Sequence, residues 1–181
     1  MKNVPKEVFF TKGDGNHKDK LRSFELALRD AGIEKQNIVP VSSILPPGCK
    51  ITSKTHGLKN LAPGEITFAV ISKCSSNEPR RLIVASVGCA RPSNKNGYGY
   101  LSEFNTYGMT EKQAGDYAED MAAAMLASTL GIEFDEEKSW DEQKEVYRIS
   151  NKIYKSTETT QSAIVSKKGY TTVVAAAVFI N

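Results

Sequence analysis

The sequence has few of the residues on which many enzyme active sites depend. Its 181 residues include only two histidines and three cysteines. His17 and His56 each lie alone in a polar stretch, which favours neither a zinc site nor a Ser-His-Asp triad. The cysteines are widely spaced and odd in number, which excludes a fully paired disulfide framework within one chain. We therefore expect Cys49, Cys74 and Cys89 to be reduced structural thiols, and we predict no bound metal.

Long apolar runs and a strong net charge are also absent. The longest apolar run, residues 173–180, is far shorter than the about 20 residues that a membrane-spanning helix needs. Residues 1–6 are not followed by an apolar stretch, so no secretory signal is predicted. The net charge is +3, from 24 basic and 21 acidic residues, and it gives no basic stripe for nucleic acid. A cytoplasmic protein without membrane or nucleic-acid partners is expected.

Two segments have the pattern of helices. Residues 19–31 place apolar side chains at helical spacing, and Gly32 supplies the expected stop. The apolar positions of this first helix are Leu21, Phe24, Leu28 and Ala31. The second helix is predicted to open with a capping box, Thr110-x-x-Gln113, and to run to about Leu130.

Strand patterns occupy much of the remaining chain. Residues 13–16 read as a turn that ends the first strand, and Pro40 confines residues 37–45 to a sheet edge or an irregular strand. Short polar loops predict two hairpins, the second turning at residues 167–169, whereas residues 133–145 have no pattern and are interpreted as a loop. The pattern predicts one α+β domain with helices on an antiparallel or mixed sheet. The predicted strands are residues 8–10, 65–74, 81–89, 98–107 and 170–179.

One segment stands out chemically. Residues 37–47, Asn-Ile-Val-Pro-Val-Ser-Ser-Ile-Leu-Pro-Pro, resemble the self-cleavage site of pyruvoyl-dependent decarboxylases. Together with the preceding Phe24-Glu25-x-Ala27-Leu28, they resemble more closely the pyruvoyl-dependent arginine decarboxylases. The resemblance runs over nearly the whole length, through motifs in the same order: Ser102-Glu103, residues 117–121, 131–134, 161–164 and 175–179.

The resemblance implies a four-layer αββα sandwich, one domain over residues 1–181, that cleaves itself into two chains. If the backbone is strained there, the Ser43 hydroxyl attacks the Ser42 carbonyl, and the chain divides into a β chain, 1–42, and an α chain, 43–181. Ser43 then becomes a pyruvoyl group, so no external cofactor is expected. The family also implies trimers or pairs of trimers.

The resemblance also implies an activity, the conversion of L-arginine to agmatine and CO2 on the way to polyamines. The substrate amine forms a Schiff base with the pyruvoyl group derived from Ser43, and Glu103 matches the family's proton donor. Asn37 matches an asparagine that assists processing and catalysis. Glu25 lies where the family usually has an aspartate that binds the basic end of the substrate. Because glutamate is one methylene longer, the distance that its carboxylate spans to the substrate differs from that of the family's aspartate.

Several alternatives remain open from the residues themselves. The same chemistry could act on lysine, ornithine or histidine. The chain could instead be an unprocessed structural or regulatory paralogue, or an edge-strand interaction module. Taken without the resemblance, Glu25 and Glu103 read as solvated carboxylates, Asn37 as a strand-entry residue, and the prolines as ordinary turn residues.

Overall fold

The computed structural model describes residues 4–131 and 153–181. In the second range, the backbone is described from residue 153 and the side chains from residue 156. It contains three helices and nine strands within those ranges. In chain order they are β1 Glu7–His17, α1 Lys20–Ala31, β2 Asn37–Pro40, β3 Ile44–Leu45, β4 Lys50–Thr52, α2 Lys54–Lys59, β5 Ile66–Ser76, β6 Leu82–Pro92, β7 Gly99–Tyr107, α3 Glu111–Thr129, β8 Ile153–Ile164 and β9 Tyr170–Ile180.

The strands form two sheets that pack face to face between α1 and α3. The five-stranded sheet has the order β2-β5-β9-β1-β4, and the four-stranded sheet has the order β3-β7-β6-β8. Pairing is antiparallel except for β1 with β4 and β2 with β5, which are parallel. The predicted α+β class and four-layer αββα arrangement are confirmed. Residues 133–145, interpreted as a loop, lie within the part of the chain that the structure does not describe.

Strand β9 shows how the layers are built. Successive side chains of a strand point to opposite faces, so β9 serves two hydrophobic clusters. Val173, Ala175 and Ala177 belong to the core between the sheets, whereas Val174 and Ala176 pack under α1. Because both faces of β9 are covered, this strand is apolar from Val173 to Ile180.

The outer helices approach the sheets closely because glycines face them. A Cβ on Gly13 in β1 would lie 2.4 Å from the Ala27 carbonyl oxygen of α1. A Cβ on Gly88 in β6 would lie 2.1 Å from the Ala118 carbonyl oxygen of α3. The predicted turn at residues 13–16 is therefore wrong, because this glycine admits helix backbone and the strand continues to His17.

The helix predictions agree with the structure except in detail. The capping box at Thr110 and Gln113 is confirmed, and Gly32 ends α1 in a left-handed conformation with φ 81°. Leu21 does not join the core as predicted but is 81% exposed. The short helix α2 was not predicted, although its N-cap Ser53, which accepts a hydrogen bond from the His56 backbone N–H, is a recognisable sequence signal.

Both predicted hairpins are wrong, because each pair of strands divides between the two sheets. Strands β5 and β9 belong to the five-stranded sheet, whereas β6 and β8 belong to the four-stranded sheet. The two connections lie side by side, since Arg80 N–H donates to the Val165 carbonyl and Val165 N–H donates to the Arg81 carbonyl. Each short connection therefore carries the chain across the sandwich.

Among the described helices, none has the length and apolarity to span a bilayer. The cysteine prediction is confirmed to the extent that Cys49, Cys74 and Cys89 are buried and unpaired. Burial raises the pKa of the Cys49 thiol to about 11 and that of the Cys89 thiol to about 12. No group of three or more metal-ligating side chains occurs among the residues that the structure describes.

Candidate active site

Ser42 and Ser43 lie where the chain crosses from one sheet to the other. They connect β2, an edge strand of the five-stranded sheet, to β3, an edge strand of the four-stranded sheet. Ser42 is exposed and Ser43 is partly buried. Pro40 ends β2, in agreement with the predicted edge strand. The Ser42–Ser43 peptide is thus accessible while both of its flanks are held in sheets.

Backbone hydrogen bonds fix this crossing at three points. Val41 N–H donates to the Ala69 carbonyl of β5 at 3.0 Å, and Leu101 N–H donates to the Ser43 carbonyl at 2.7 Å. Between them, Ile44 N–H donates to the Ser42 carbonyl oxygen at 3.0 Å. Neither serine has a positive φ, so neither adopts the left-handed conformation in which a serine backbone would be strained.

Glu103 lies on β7 close to this crossing. Leu101, which binds the Ser43 carbonyl through its N–H, faces the core between the sheets. Residue 103 is two positions further along the strand, so it points to the same face about 7 Å away. The Glu103 side chain reaches solvent, and partial burial raises the pKa of its carboxyl group. A raised pKa keeps a larger fraction of this group protonated near neutral pH.

The residues on either side of Glu103 are held firmly. The Ser102 hydroxyl donates to the Ala118 carbonyl of α3, and the Phe104 ring lies 4.3 Å from the Tyr117 ring between centroids. From the opposite sheet, the Ser72 hydroxyl donates to the Phe104 carbonyl at 2.6 Å. Strand β7 is therefore fixed from both neighbouring layers at the point where it presents Glu103.

Glu25 is on α1 and already binds two arginines. Its carboxylate lies 2.7 Å from Arg22 Nη1 and accepts a hydrogen bond from Arg29 Nη2. The arginines lie three residues before and four residues after Glu25, so all three side chains share one helix face. This pairing was not predicted, although the spacing could have revealed it. Glu25 lines a shallow depression together with Asp19, Leu21 and Arg22.

Asn37 begins β2 and lines a separate groove of about 530 Å³ between α1 and the sheet edge. Its side-chain amide donates to the Gly64 carbonyl at 2.9 Å. In the same groove, the Lys73 ammonium lies 4.5 Å from the centre of the Phe24 ring. The groove wall is formed by Phe24, Leu28, Gln36, Asn37, Ile38, Val39, Pro40, Ile71 and Lys73.

Within one chain, the predicted site residues thus fall into two groups. Ser42, Ser43 and Glu103 lie around the start of β3 and along β7, whereas Glu25 and Asn37 lie on the α1 side of the five-stranded sheet. Sequence reasoning did not identify the backbone N–H groups of residues 44 and 101, because a main-chain donor has no signature in the amino-acid letters. Their positions follow only from the folded chain.

Comparison with known proteins gives consistent matches over this whole arrangement. The protein-family model described as pyruvoyl-dependent arginine decarboxylase matches residues 7–181. The chain is 57% identical over 178 residues to a probable pyruvoyl-dependent arginine decarboxylase of Chloroherpeton thalassium, covering 98% of each chain. It is 53% identical over 178 residues to a pyruvoyl-dependent arginine decarboxylase of Nitrosopumilus maritimus, covering 98% of this chain and 97% of the relative. The corresponding protein of Methanococcoides burtonii is 52% identical over 178 residues, covering 98% and 99%.

Proposed function

The chain belongs to the pyruvoyl-dependent arginine decarboxylase family, and on this basis we propose that it cleaves itself between Ser42 and Ser43 and then converts L-arginine to agmatine and CO2. The structural observation that carries the proposal is the crossing between the sheets. It presents an accessible Ser42–Ser43 peptide, fixed through the Ser43 carbonyl to β7, two residues before Glu103.

Self-cleavage requires only the chain and water. The Ser43 Oγ adds to the Ser42 carbonyl carbon, the carbon–nitrogen bond breaks, and the serine proton passes to the nitrogen, which turns the amide into an ester. Removal of the Ser43 α-proton then breaks the Cβ–Oγ bond, and Ser42 leaves as a carboxylate. Water replaces the nitrogen of the resulting dehydroalanine, and ammonia departs. The products are residues 1–42 and residues 43–181 beginning with a pyruvoyl group.

The fold is compatible with holding that group without another cofactor. The pyruvoyl carbonyl supplies the electron sink for loss of CO2 from an amino acid. Leu101 N–H holds the Ser43 carbonyl, so the amide beside the new group stays fixed on β7. Glu103 is the proposed donor of the proton to the substrate α-carbon, because burial raises the pKa of its carboxyl group and keeps the proton available.

Glu25 and Asn37 are proposed to contribute to the substrate site from the other group of residues. A carboxylate can bind the guanidinium of arginine through two parallel hydrogen bonds. Glu25 is already paired with Arg22 and Arg29, so the substrate must displace or share these contacts. We propose that trimers, alone or in pairs, bring both groups of residues to one site between subunits. Asn37 is the proposed assistant in processing and catalysis.

The cleaved chains should remain associated. Strand β1, in residues 1–42, pairs with β9 from Glu7 to His17, and β2 pairs with β5. Both partner strands lie in residues 43–181, so the cut leaves the five-stranded sheet intact. A cytoplasmic location is proposed because the buried Cys49, Cys74 and Cys89 are unpaired, as expected in a reducing compartment.

Intact mass spectrometry of the purified, denatured protein tests the self-cleavage. The expected fragments are residues 1–42 and residues 43–181. The second is about 17 Da lighter than simple hydrolysis would give, because converting an N-terminal serine to a pyruvoyl group is a net loss of NH3. A Ser43→Ala variant is the control and should remain one chain. A single full-length species from the unmodified protein would contradict the proposal and favour the unprocessed paralogue.

Release of CO2 from labelled amino acids tests the substrate. Arginine is expected to be turned over, with agmatine as product, and the Ser43→Ala chain is expected to be inactive. Lysine, ornithine and histidine are measured in parallel, since Glu25 is one methylene longer than the usual aspartate of the family. Preferential turnover of one of these three would reassign the substrate while leaving the pyruvoyl chemistry in place.

A further inference from the structure

The carbonyl group that self-cleavage must attack already accepts a hydrogen bond within its own segment. Ile44 N–H donates to the Ser42 carbonyl oxygen at an N···O distance of 3.0 Å. A bond from residue i+2 back to residue i closes a three-residue γ-turn centred on Ser43. Because Ser43 has no positive φ, this is the inverse form, which is common at strand ends.

The pairing of β3 with β7 accounts for the direction of this N–H group. Ile44 is opposite Tyr100, and the Ser43 carbonyl points towards β7, where Leu101 N–H binds it. The N–H of a residue and the carbonyl of the residue before it point to opposite sides of a strand. Ile44 N–H is therefore directed away from β7 and towards the Ser42 carbonyl.

The position of this donor matches a chemical need of the first step. When the Ser43 Oγ adds to the Ser42 carbonyl carbon, negative charge develops on the Ser42 oxygen. Donors about 2.7–3.1 Å from such an oxygen stabilise the charge, and a hydrogen bond to an ion is stronger than one to a neutral carbonyl. The same oxygen ends in the Ser42 carboxylate that leaves during elimination. The Ile44 N–H group can therefore stabilise charge in both steps.

The side chain that resemblance assigns to this task is directed elsewhere in the same chain. The Asn37 amide donates to the Gly64 carbonyl at 2.9 Å. Residues 37–40 are extended, which places Asn37 about 10 Å from the end of its own strand. The main chain of residue 44 is thus the donor that the fold itself places on the scissile carbonyl.

We infer that the backbone N–H of Ile44 is an oxyanion donor for self-cleavage, supplied by the γ-turn that the β3–β7 pairing holds in place. This inference rests on the proposed self-cleavage at Ser42–Ser43. It assigns the Ile44 side chain no role, because the hydrogen bond belongs to the main chain.

An amide-to-ester exchange tests the inference directly. Incorporating the α-hydroxy acid equivalent of isoleucine at position 44 in the full chain replaces the N–H by oxygen and keeps the side chain. The rate of appearance of fragments 1–42 and 43–181 is followed by intact mass spectrometry. Loss of one oxyanion donor is expected to slow cleavage by about 10²- to 10³-fold. Any hydrolysis of the new ester cuts after residue 43 and has a different mass.

The matched control is the same exchange at Val165, which removes a backbone bond of similar length, 2.8 Å to the Arg81 carbonyl, at the end of the four-stranded sheet remote from the scissile group. This ester is expected to cleave within a few-fold of the unmodified rate. Circular dichroism of each ester in a Ser43→Ala background checks that the fold is retained. An equal rate for the position-44 and position-165 esters would overturn the inference.

The two proposals fail in different ways. If the unmodified chain does not cleave, self-cleavage itself is contradicted. If the unmodified chain cleaves and the position-44 ester cleaves as fast as its control, only the assignment of the Ile44 N–H is contradicted. A slow position-44 ester beside a fast position-165 ester supports both.

Discussion

Replacing Gly88 with alanine is expected to move α3 away from the strand that carries Glu103. The new Cβ would lie 2.1 Å from the Ala118 carbonyl oxygen, whereas ordinary contacts are 3.4–4 Å. The neighbour is helix backbone and cannot rotate aside, so α3 must shift by roughly 1 Å or more. Ser102, paired with Gly88 in register, donates its hydroxyl to that same carbonyl. The shift therefore disturbs the residue next to Glu103.

The expected cost is large for a protein of this size. Forcing extra volume into a packed layer costs about 1–3 kcal/mol, and loss of the Ser102 hydrogen bond adds about 0.5–1.5 kcal/mol. The free energy of unfolding should fall by roughly 2–4 kcal/mol, which lowers the melting temperature by about 4–16 °C. Thermal unfolding is measured in a Ser43→Ala background, so that a single uncleaved chain unfolds.

Gly57→Ala is the matched control for this prediction, because α2 carries none of the proposed site residues. Its Cβ would lie 2.1 Å from Phe9 Cδ1, so it disturbs the packing of α2 on β1 by a similar amount. Both variants should lose stability, but turnover per cleaved molecule should fall only in Gly88→Ala, well below both melting temperatures. An unchanged melting temperature for Gly88→Ala, or equal losses of turnover in both variants, would refute the reasoning.

Three further results are expected. Glu103→Gln should still cleave itself but lose about 10²- to 10⁴-fold in kcat. In the unmodified enzyme, kcat should fall as pH rises through the raised pKa of Glu103, because the donor loses its proton. The same pH dependence of kcat in the variant would contradict this role. Arg22→Ala should lower KM for arginine by roughly 1.5- to 5-fold, since it frees part of the Glu25 carboxylate, whereas Lys20→Ala should not. Iodoacetamide at pH 8 should modify Cys49 and Cys89 only after denaturation, because burial raises both thiol pKa values; rapid native labelling would disprove it.

The sequence predicted the type of most elements but not how they divide between sheets. Apolar runs such as residues 81–89 and 170–179 predicted strands, and the structure has them as β6 and β9. Strands covered on both faces lack the alternation of apolar and polar residues that shows which face is buried. Their sequence therefore does not show to which sheet they belong. A short polar loop joins two strands equally well within one sheet or across a sandwich. The two hairpin predictions were wrong for this reason.

Glycine was ambiguous in the same way. Residues 13–16 contain two glycines beside polar residues, which is typical of a turn, yet Gly13 and Gly15 lie within β1 where α1 backbone approaches. Only the packed structure distinguishes a glycine that bends the chain from one that admits a neighbour. For the candidate site, the family resemblance indicated Ser43 and Glu103, whereas the main-chain donors at residues 44 and 101 required coordinates.

The proposed location of the cut implies that self-cleavage follows folding. Strands β1 and β2 precede Ser43 and their sheet partners β9 and β5 follow it, so the five-stranded sheet needs both sides of the scissile bond. The four-stranded sheet lies wholly in residues 43–181, and its edge strand β3 exists only when paired with β7. That pairing fixes the Ser43 carbonyl and directs Ile44 N–H to the Ser42 oxygen. An unfolded chain has neither contact, so we expect the proposed cleavage only once the sheets that would hold the two fragments together have formed.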